Sequence, residues 1–164
     1  MLTAERLRSL MVYNPETGIF VRLVSAGCRP AGSEAGRPHP STPTGYVMMG
    51  VDGRLYTAHR LAWLYVYGEW PTRDVDHRDG NRANNAIGNL REATESQNAA
   101  NSGMRRHNTS GFRGVSWNSR AKKWLATIVV RGRKKHLGFF ADAAEASAVY
   151  NAAAAREFGE FARV

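Results

Sequence analysis

The chain has 164 residues, with 23 Lys or Arg against 14 Asp or Glu, a net charge of +9 and a pI near 10.3. That length allows one ordinary domain or two small ones, and the charge favours a polyanionic partner. A single cysteine, Cys28, excludes a disulfide framework and a cysteine-ligated zinc site. No apolar run reaches the roughly 18 residues of a membrane span and no signal-peptide apolar region opens the chain, so the expected setting is intracellular, with no membrane partner.

In chain order, Thr3 can cap a helix over Ala4–Met11 that puts Leu7, Leu10 and Met11 on one face. Asn14-Pro15-Glu16-Thr17-Gly18 is turn chemistry, and Ile19–Leu23 reads as a strand. The stretch from Ser25 to Thr44 is rich in Gly, Pro and Ser, carries Arg29, Arg37 and His39, and has no period. Twenty such residues are long for a connection, so a mobile or a functional loop is expected. Tyr46–Val51 and Arg54–Thr57 flank Asp52-Gly53, a strong hairpin signal. An apolar helix should follow over Ala58–Tyr67, stopped by Gly68 and Pro71.

Between Val75 and Asn101 the chain reads VDHRDGNRANNAIGNLREATESQNAAN. A carboxylate (Asp76), an imidazole (His77) and an amide oxygen (Asn98) brought together can hold one hard metal ion beside a general base, the parts that metal-assisted phosphodiester hydrolysis requires. His77 is the candidate base, because an imidazole is neutral near pH 7 and can take a proton from water. Asp76 and Asn98 are the candidate metal ligands, with Asn101 and Asp79 as rivals. One carboxylate and one amide oxygen suit Mg²⁺ or Mn²⁺, a single ion keeping several waters. Thr94-x-x-Gln97 is a capping box that should start a helix just before Asn98. A lone histidine is commonly an ordinary residue, and Asn84-Asn85 and Gly88-Asn89 would ordinarily be turns. The joint spacing carries the signal. Arg60, Arg78 and Arg91 are candidates for phosphate contacts or for a solvated face.

This segment resembles the H-N-N variant of the HNH nuclease motif, the ββα-metal fold, as found in phage and intron homing endonucleases. The resemblance implies that the metal bridges the scissile phosphate and the leaving 3′ oxygen. It also places Asn89 in the catalytic set as the residue whose amide ties the two hairpin arms and holds the base. His59 lies in a His-Arg-Leu run that recurs in these relatives and is read as structural. Phage or mobile-element origin, and hence a host-cell cytoplasmic setting, is implied only by this likeness.

Residues 103–111 are polar and read as a linker. From Gly103 to Phe140 there are ten Lys or Arg and no Asp or Glu, the segregated charge expected of a nucleic-acid-binding module. Phe112–Trp117, Lys123–Val130 and Lys134–Phe140 read as strands, the last two joined at Arg131-Gly132. An Ala-rich helix should run over Ala143–Phe158, begun by Asp142 and Glu145 and stopped by Gly159. The stretch Ser110–Val164 resembles the Apetala-type, or plant ethylene-response-factor, DNA-binding domain. The likeness rests on Phe112-Arg113-Gly114-Val115, Trp124, Leu137-Gly138-Phe139, Tyr150 and Gly159-x-Phe161. It implies a three-stranded sheet that enters the major groove with a helix behind it. Arg113 then matches a base-contacting arginine, Lys134 a cation, and His136 a position usually held by Trp. Ser116 and Val129 replace family arginines, so the plant module's sequence preference does not carry over. Arg120, Lys122, Arg131, Arg133 and Lys135 complete the expected DNA-binding set. Trp124 is expected in the core.

The expected fold class is α+β: a ββα-metal nuclease domain over residues 1–102, with its core at about 73–102, then the linker, then a three-stranded antiparallel sheet packed on one helix over 112–164. The expected function is metal-dependent, site-preferring cleavage of double-stranded DNA; with one catalytic constellation per chain a monomer should nick one strand, and a double-strand cut would need two copies or two visits. The competing expectation is a non-enzymatic DNA-binding regulator that keeps the nuclease fold as a scaffold, with RNA a weaker alternative partner.

Overall fold

The computed structural model describes residues 1–38, 45–104 and 107–163. His39, Arg105, Arg106 and Val164, which figure in the expectations above, lie outside the described residues. The chain divides into two compact units, Met1–Glu92 and Ala93–Val164. Both mix helices with small sheets, so the fold class is α+β. No helix among the described residues is long and apolar enough to cross a membrane.

The first unit starts with α1 (Ala4–Leu10), where the Thr3 hydroxyl accepts the Arg6 N–H at 3.2 Å. Then come β1 (Met11–Tyr13), β2 (Phe20–Arg22), β3 (Glu34–Ala35), β4 (Arg37–Pro38), β5 (Val47–Val51), β6 (Arg54–Thr57), α2 (Ala58–Tyr67), β7 (Asp74–His77) and β8 (Leu90–Ala93). β1, β2 and β3 form one sheet, β4, β5 and β6 a second, and β7 pairs with β8. The β5–β6 turn has positive φ at both Asp52 (47°) and Gly53 (75°), the conformation that matches strand twist and that Asp-Gly tolerates best. Gly68, at φ 82°, ends α2 in the left-handed conformation that a side chain would resist. Leu7, Phe20, Met49, Leu61 and Leu64 are the largest fully buried side chains. They draw α1, α2 and the strands around one apolar core.

The expectation of an aperiodic stretch from Ser25 is corrected over its described part. β3 and β4 lie in it, and Ala26 and Arg29 pair as a bridge. The main chain is tied to β2 by Arg22 N–H to Ser33 O (3.0 Å) and Gly32 N–H to Arg22 O (2.8 Å). Strands of two residues are too short to show an alternation in sequence, which is why the pattern looked empty. Gly36, at φ 94°, passes the chain from one sheet to the next. A Cβ there would come within 2.7 Å of Val47 and 2.8 Å of Met49.

The second unit contains α3 (Glu95–Asn101), β9 (Val115–Asn118), β10 (Lys123–Val130), β11 (Arg133–Phe140) and α4 (Ala143–Phe158). The strands form an antiparallel sheet in the order β11-β10-β9. α3 opens with the Thr94–Gln97 capping box, both of its bonds present. α4 opens on Asp142, whose carboxylate accepts the Ala144 and Glu145 N–H groups. Small side chains on α4 let it lie close to the sheet: Ala146 packs with Val115 and Ala126, while Tyr150, Ala153, Ala154 and Phe158 pack with Ile128. The same apolar cluster takes in Ala93 and Ala100, so α3 belongs to this unit by packing. Gly114 is required where the sheet meets Tyr150, because a Cβ would sit 2.2 Å from the ring at φ 68°. β9 begins at Val115, later than expected, since the Ser110 hydroxyl donates to the Phe112 and Val115 carbonyls and holds the preceding residues in a turn.

Candidate functional site

β7 carries Asp76 and His77 at its end, both buried, and β8 runs beside it. The twelve residues from Arg78 to Asn89 connect them, and their polar side chains organise that connection. The Asp79 carboxylate accepts the Asn81 N–H (2.8 Å), the Asn84 amide (2.8 Å) and the Asn89 amide (3.0 Å). Asn89 also donates to Asn84 O (2.8 Å) and accepts the Asp79 N–H (3.1 Å). At the base of the loop Arg78 N–H meets Asn89 O at 2.8 Å. The Asn89 side chain therefore spans the two arms. Burial alone would raise the Asp79 carboxyl, but the hydrogen bonds from Asn84, the Asn81 N–H and Asn89 hold it below its ordinary value.

His77 is 3% exposed, and its Nε2 lies 3.3 Å from Asn85 Oδ1. The Asn85 amide nitrogen donates to Ala83 O at 2.9 Å. That bond orients the amide, so Oδ1 can only accept, and Nε2 of His77 carries the proton. In the neutral ring Nδ1 then holds the lone pair. Burial lowers the His77 pKa, against the opposing pull of the Asn85 bond and of Asp79 and Asp76. The ring is thus neutral at pH 7 and its basic atom is defined.

Asn85 is itself 3% exposed and is fixed from behind. The Tyr13 hydroxyl donates to its carbonyl at 2.7 Å, and Ile87 N–H donates to Pro15 O at 3.0 Å. Gly18 sits so close that a Cβ would come within 2.3 Å of the Asn85–Ala86 backbone, at φ 74°. The Asn14–Gly18 turn therefore buttresses the residue that orients His77. Around the imidazole stand His59, edge-on at 5.1 Å between ring centres, and Tyr46 at 6.0 Å, itself covered by the Arg82 guanidinium at 4.8 Å. His59 is buried, and its Nδ1 has no hydrogen-bond partner among the described residues. Burial first, then the nearby charges of His77 and Arg60, push its pKa down to about 3.

Asp76 is held by Arg91, whose Nε lies 3.0 Å from Oδ2, with both side chains more than nine-tenths buried. Arg91 is therefore neither on a solvated face nor a surface contact for phosphate, because β8 directs it inward beside a carboxylate. Asn98 is half-buried on α3, in the second unit, and its neighbour Asn101 is buried. Among the described residues no three His, Cys, Asp or Glu side chains are grouped to hold a metal ion. Asp76 and Asn98 each offer oxygen, the donor type that a hard divalent cation takes.

In the second unit the expected DNA-binding residues separate. Arg120, Lys122, Arg131, Arg133, Lys134, Lys135 and His136 are exposed. Register pairs Val129 with Lys134 and Thr127 with His136, so each pair shares one face of the sheet. Lys135 instead forms an ion pair with Glu157 of α4 at 3.0 Å. Arg113 departs most from expectation. Its guanidinium donates to the carbonyls of Ala100 (2.6 Å) and Ser102 at the end of α3. It serves as a clamp on a helix C-terminus, where a cation is favoured. Trp124 is half-buried and packs edge-on with Trp117 at 5.2 Å.

Sequence reasoning missed Asn85, Tyr46 and the pairing of Arg91 with Asp76. The Asn84-Asn85 dipeptide is the visible signal, though in sequence it is indistinguishable from turn chemistry. Asn84 fulfils that role while Asn85 turns inward.

Residues 56–100 match the HNH endonuclease family. Protein 3.8 of Escherichia phage T7 is 36% identical over 77 residues, which cover 46% of this chain and 64% of that protein. An uncharacterized HNH endonuclease of Acanthamoeba polyphaga mimivirus is 35% identical over 106 residues, 63% of this chain and 54% of that protein. The chain thus spans between half and two thirds of the length of these curated relatives. No solved structure matches it.

Proposed function

We propose that the chain is a DNA endonuclease of the HNH type that hydrolyses phosphodiester bonds in double-stranded DNA with the help of a divalent metal ion and nicks one strand per encounter. The observation that carries this reading is the His77–Asn85 pair, within the segment that matches the HNH family. A buried, neutral imidazole anchored through Nε2 to an amide oxygen is the base we assign to the attacking water. As the proton arrives, Asn85 Oδ1 and the charges of Asp79 and Asp76 favour the imidazolium. Asn89 keeps the loop that carries Asn85 in shape.

Asp76 and Asn98 are the residues we assign to the metal, which when bound supplies positive charge beside the reacting phosphate. Arg91 holds the Asp76 carboxylate through the 3.0 Å contact of its Nε with Oδ2. The exposed cations of the second unit, with Lys134 and His136 on one sheet face, are assigned to duplex binding, and the unit as a whole to whatever site preference exists. Arg113 is assigned to holding α3.

Supercoiled plasmid incubated with the full chain, with and without Mg²⁺ or Mn²⁺, tests the proposal. Conversion to the nicked form that requires the metal is the expected result. Gel shifts without nicking, in either metal and with every duplex tried, would overturn it in favour of a DNA-binding regulator.

A further inference from the structure

Three arginines of the first unit have no place in the reading above. Arg22, Arg29 and Arg37 line a cavity of about 430 Å³, together with Cys28, Ser33 and Glu34. Arg22 is 6% exposed, and its Nη1 donates to Ser33 Oγ (3.2 Å) and to Glu34 O (2.5 Å). Those bonds fix the plane of the guanidinium, and Nε and Nη2 make no hydrogen bond among the described residues. Arg29 is presented by the tight Ala26–Arg29 bridge, and Arg37 by β4 just after the chain changes sheets at Gly36. Burial first, then the like charges of Arg29 and Arg37, lower the Arg22 pKa, so the three cations face one region. Among the described residues none of the three forms an ion pair. Glu34, exposed at the rim, offsets one charge and leaves an excess of two.

Gathering guanidinium groups around a concavity, one of them buried, is costly unless an anion enters. Arginine is the side chain whose planar fork matches phosphate oxygens. We propose that this cavity seats a phosphate of the DNA backbone, giving the first unit a duplex contact of its own. The proposal rests on duplex DNA being the substrate. It also gives the described residues 25–38 a function, their short strands serving to hold Arg29 and Arg37 around Arg22.

Cys28 lines the same cavity, is exposed, and is the only cysteine of the chain. Alkylation of the full chain in EDTA, with and without a saturating duplex oligonucleotide, therefore reports on occupancy without any substitution. The expected result is that duplex slows alkylation in proportion to the fraction bound. In parallel, Arg29→Ala/Arg37→Ala should lower the salt dependence of duplex affinity by roughly 0.9 in the slope of log K against log salt, the contribution of the one phosphate seated. Alkylation unchanged by saturating duplex would overturn the proposal, as would protection by inorganic phosphate alone at concentrations where duplex gives none. An equal loss of slope in Arg54→Ala/Arg73→Ala, which removes the same charge from exposed positions of the first unit outside the cavity, would also overturn it. Neither readout involves cleavage. Nicking without Cys28 protection would leave the nuclease reading standing and remove this one; protection without nicking would do the reverse.

Discussion

The two units treat their polar residues in opposite ways. In the first, Asp76, His77, His59, Asn85 and Arg91 are all buried and engaged with one another or with the loop around them. In the second, the charged residues line the exposed edge of a small sheet, and the buried set is almost wholly apolar. A buried polar group has one arrangement that satisfies it and many that do not, so such a network defines atoms closely and tolerates little change. Exposed cations are interchangeable contributors to a field. The first pattern suits chemistry on one bond, and the second suits holding a polyanion.

Substitutions should separate the two patterns sharply. The largest effect is expected for His77→Ala, which should cut metal-dependent nicking by about 10²–10⁴-fold, the usual contribution of a general base, while duplex affinity measured in EDTA stays near that of the parent. A variant that nicks at the parental rate would remove His77 from the mechanism. Arg91→Ala removes the buried ion pair with the Asp76 carboxylate and should cost about 3–5 kcal/mol of stability in a denaturant titration. Lys135→Ala, which breaks the exposed pair with Glu157, should leave the same titration unmoved. Comparable losses for both would mean that the burial contrast does not govern stability.

Acidification should act on the first unit. His59 and His77 both have folded pKa values below the unfolded value near 6.5, that of His59 at about 3. As pH falls below 6.5 the unfolded chain takes up protons that the folded one refuses. Stability is therefore full above 6.5 and declines below it, by up to about 1.4 kcal/mol per pH unit for each histidine, with the His59 share levelling off near pH 3. Urea midpoints at pH 7.5 and 5.5 measure this, and equal midpoints would contradict the burial assigned to the two rings. The smallest change is expected for Lys134→Ala, which should flatten the salt dependence of duplex binding by roughly 0.9 in slope and alter neither thermal stability nor the cleavage rate at saturating DNA. Unfolding of this variant would place Lys134 in the fold and not in the interface.

Much of this was legible locally. Helix α2 starts and ends where an apolar run meets Gly68, and the Asp52-Gly53 and Arg131-Gly132 turns adopt the positive φ that their residues permit. Thr3, Thr94 and Asp142 cap the helices they precede. These features depend on neighbours within a few positions. β1, β3 and β4 are not legible in the sequence because each is two or three residues long and is stabilised by partners elsewhere in the chain.

For the site, the spacing of Asp76, His77 and Asn89 marked the loop and the family likeness, since those residue types at that separation have few other uses. Which atom of His77 is basic could not be read there, because it follows from Asn85, from the Tyr13 hydroxyl 72 positions from Asn85 in sequence and from the turn around Gly18. Arg91 and Arg113 show the same limit. Composition counts them with the cations available to DNA, whereas the strand and the helix end beside them turn both guanidinium groups onto protein oxygens. Local sequence thus determined the elements, the turns and the residue types of the chemistry. Burial and long-range hydrogen bonding, which exist only once the chain is packed, decided which charges remain available and which nitrogen can accept a proton.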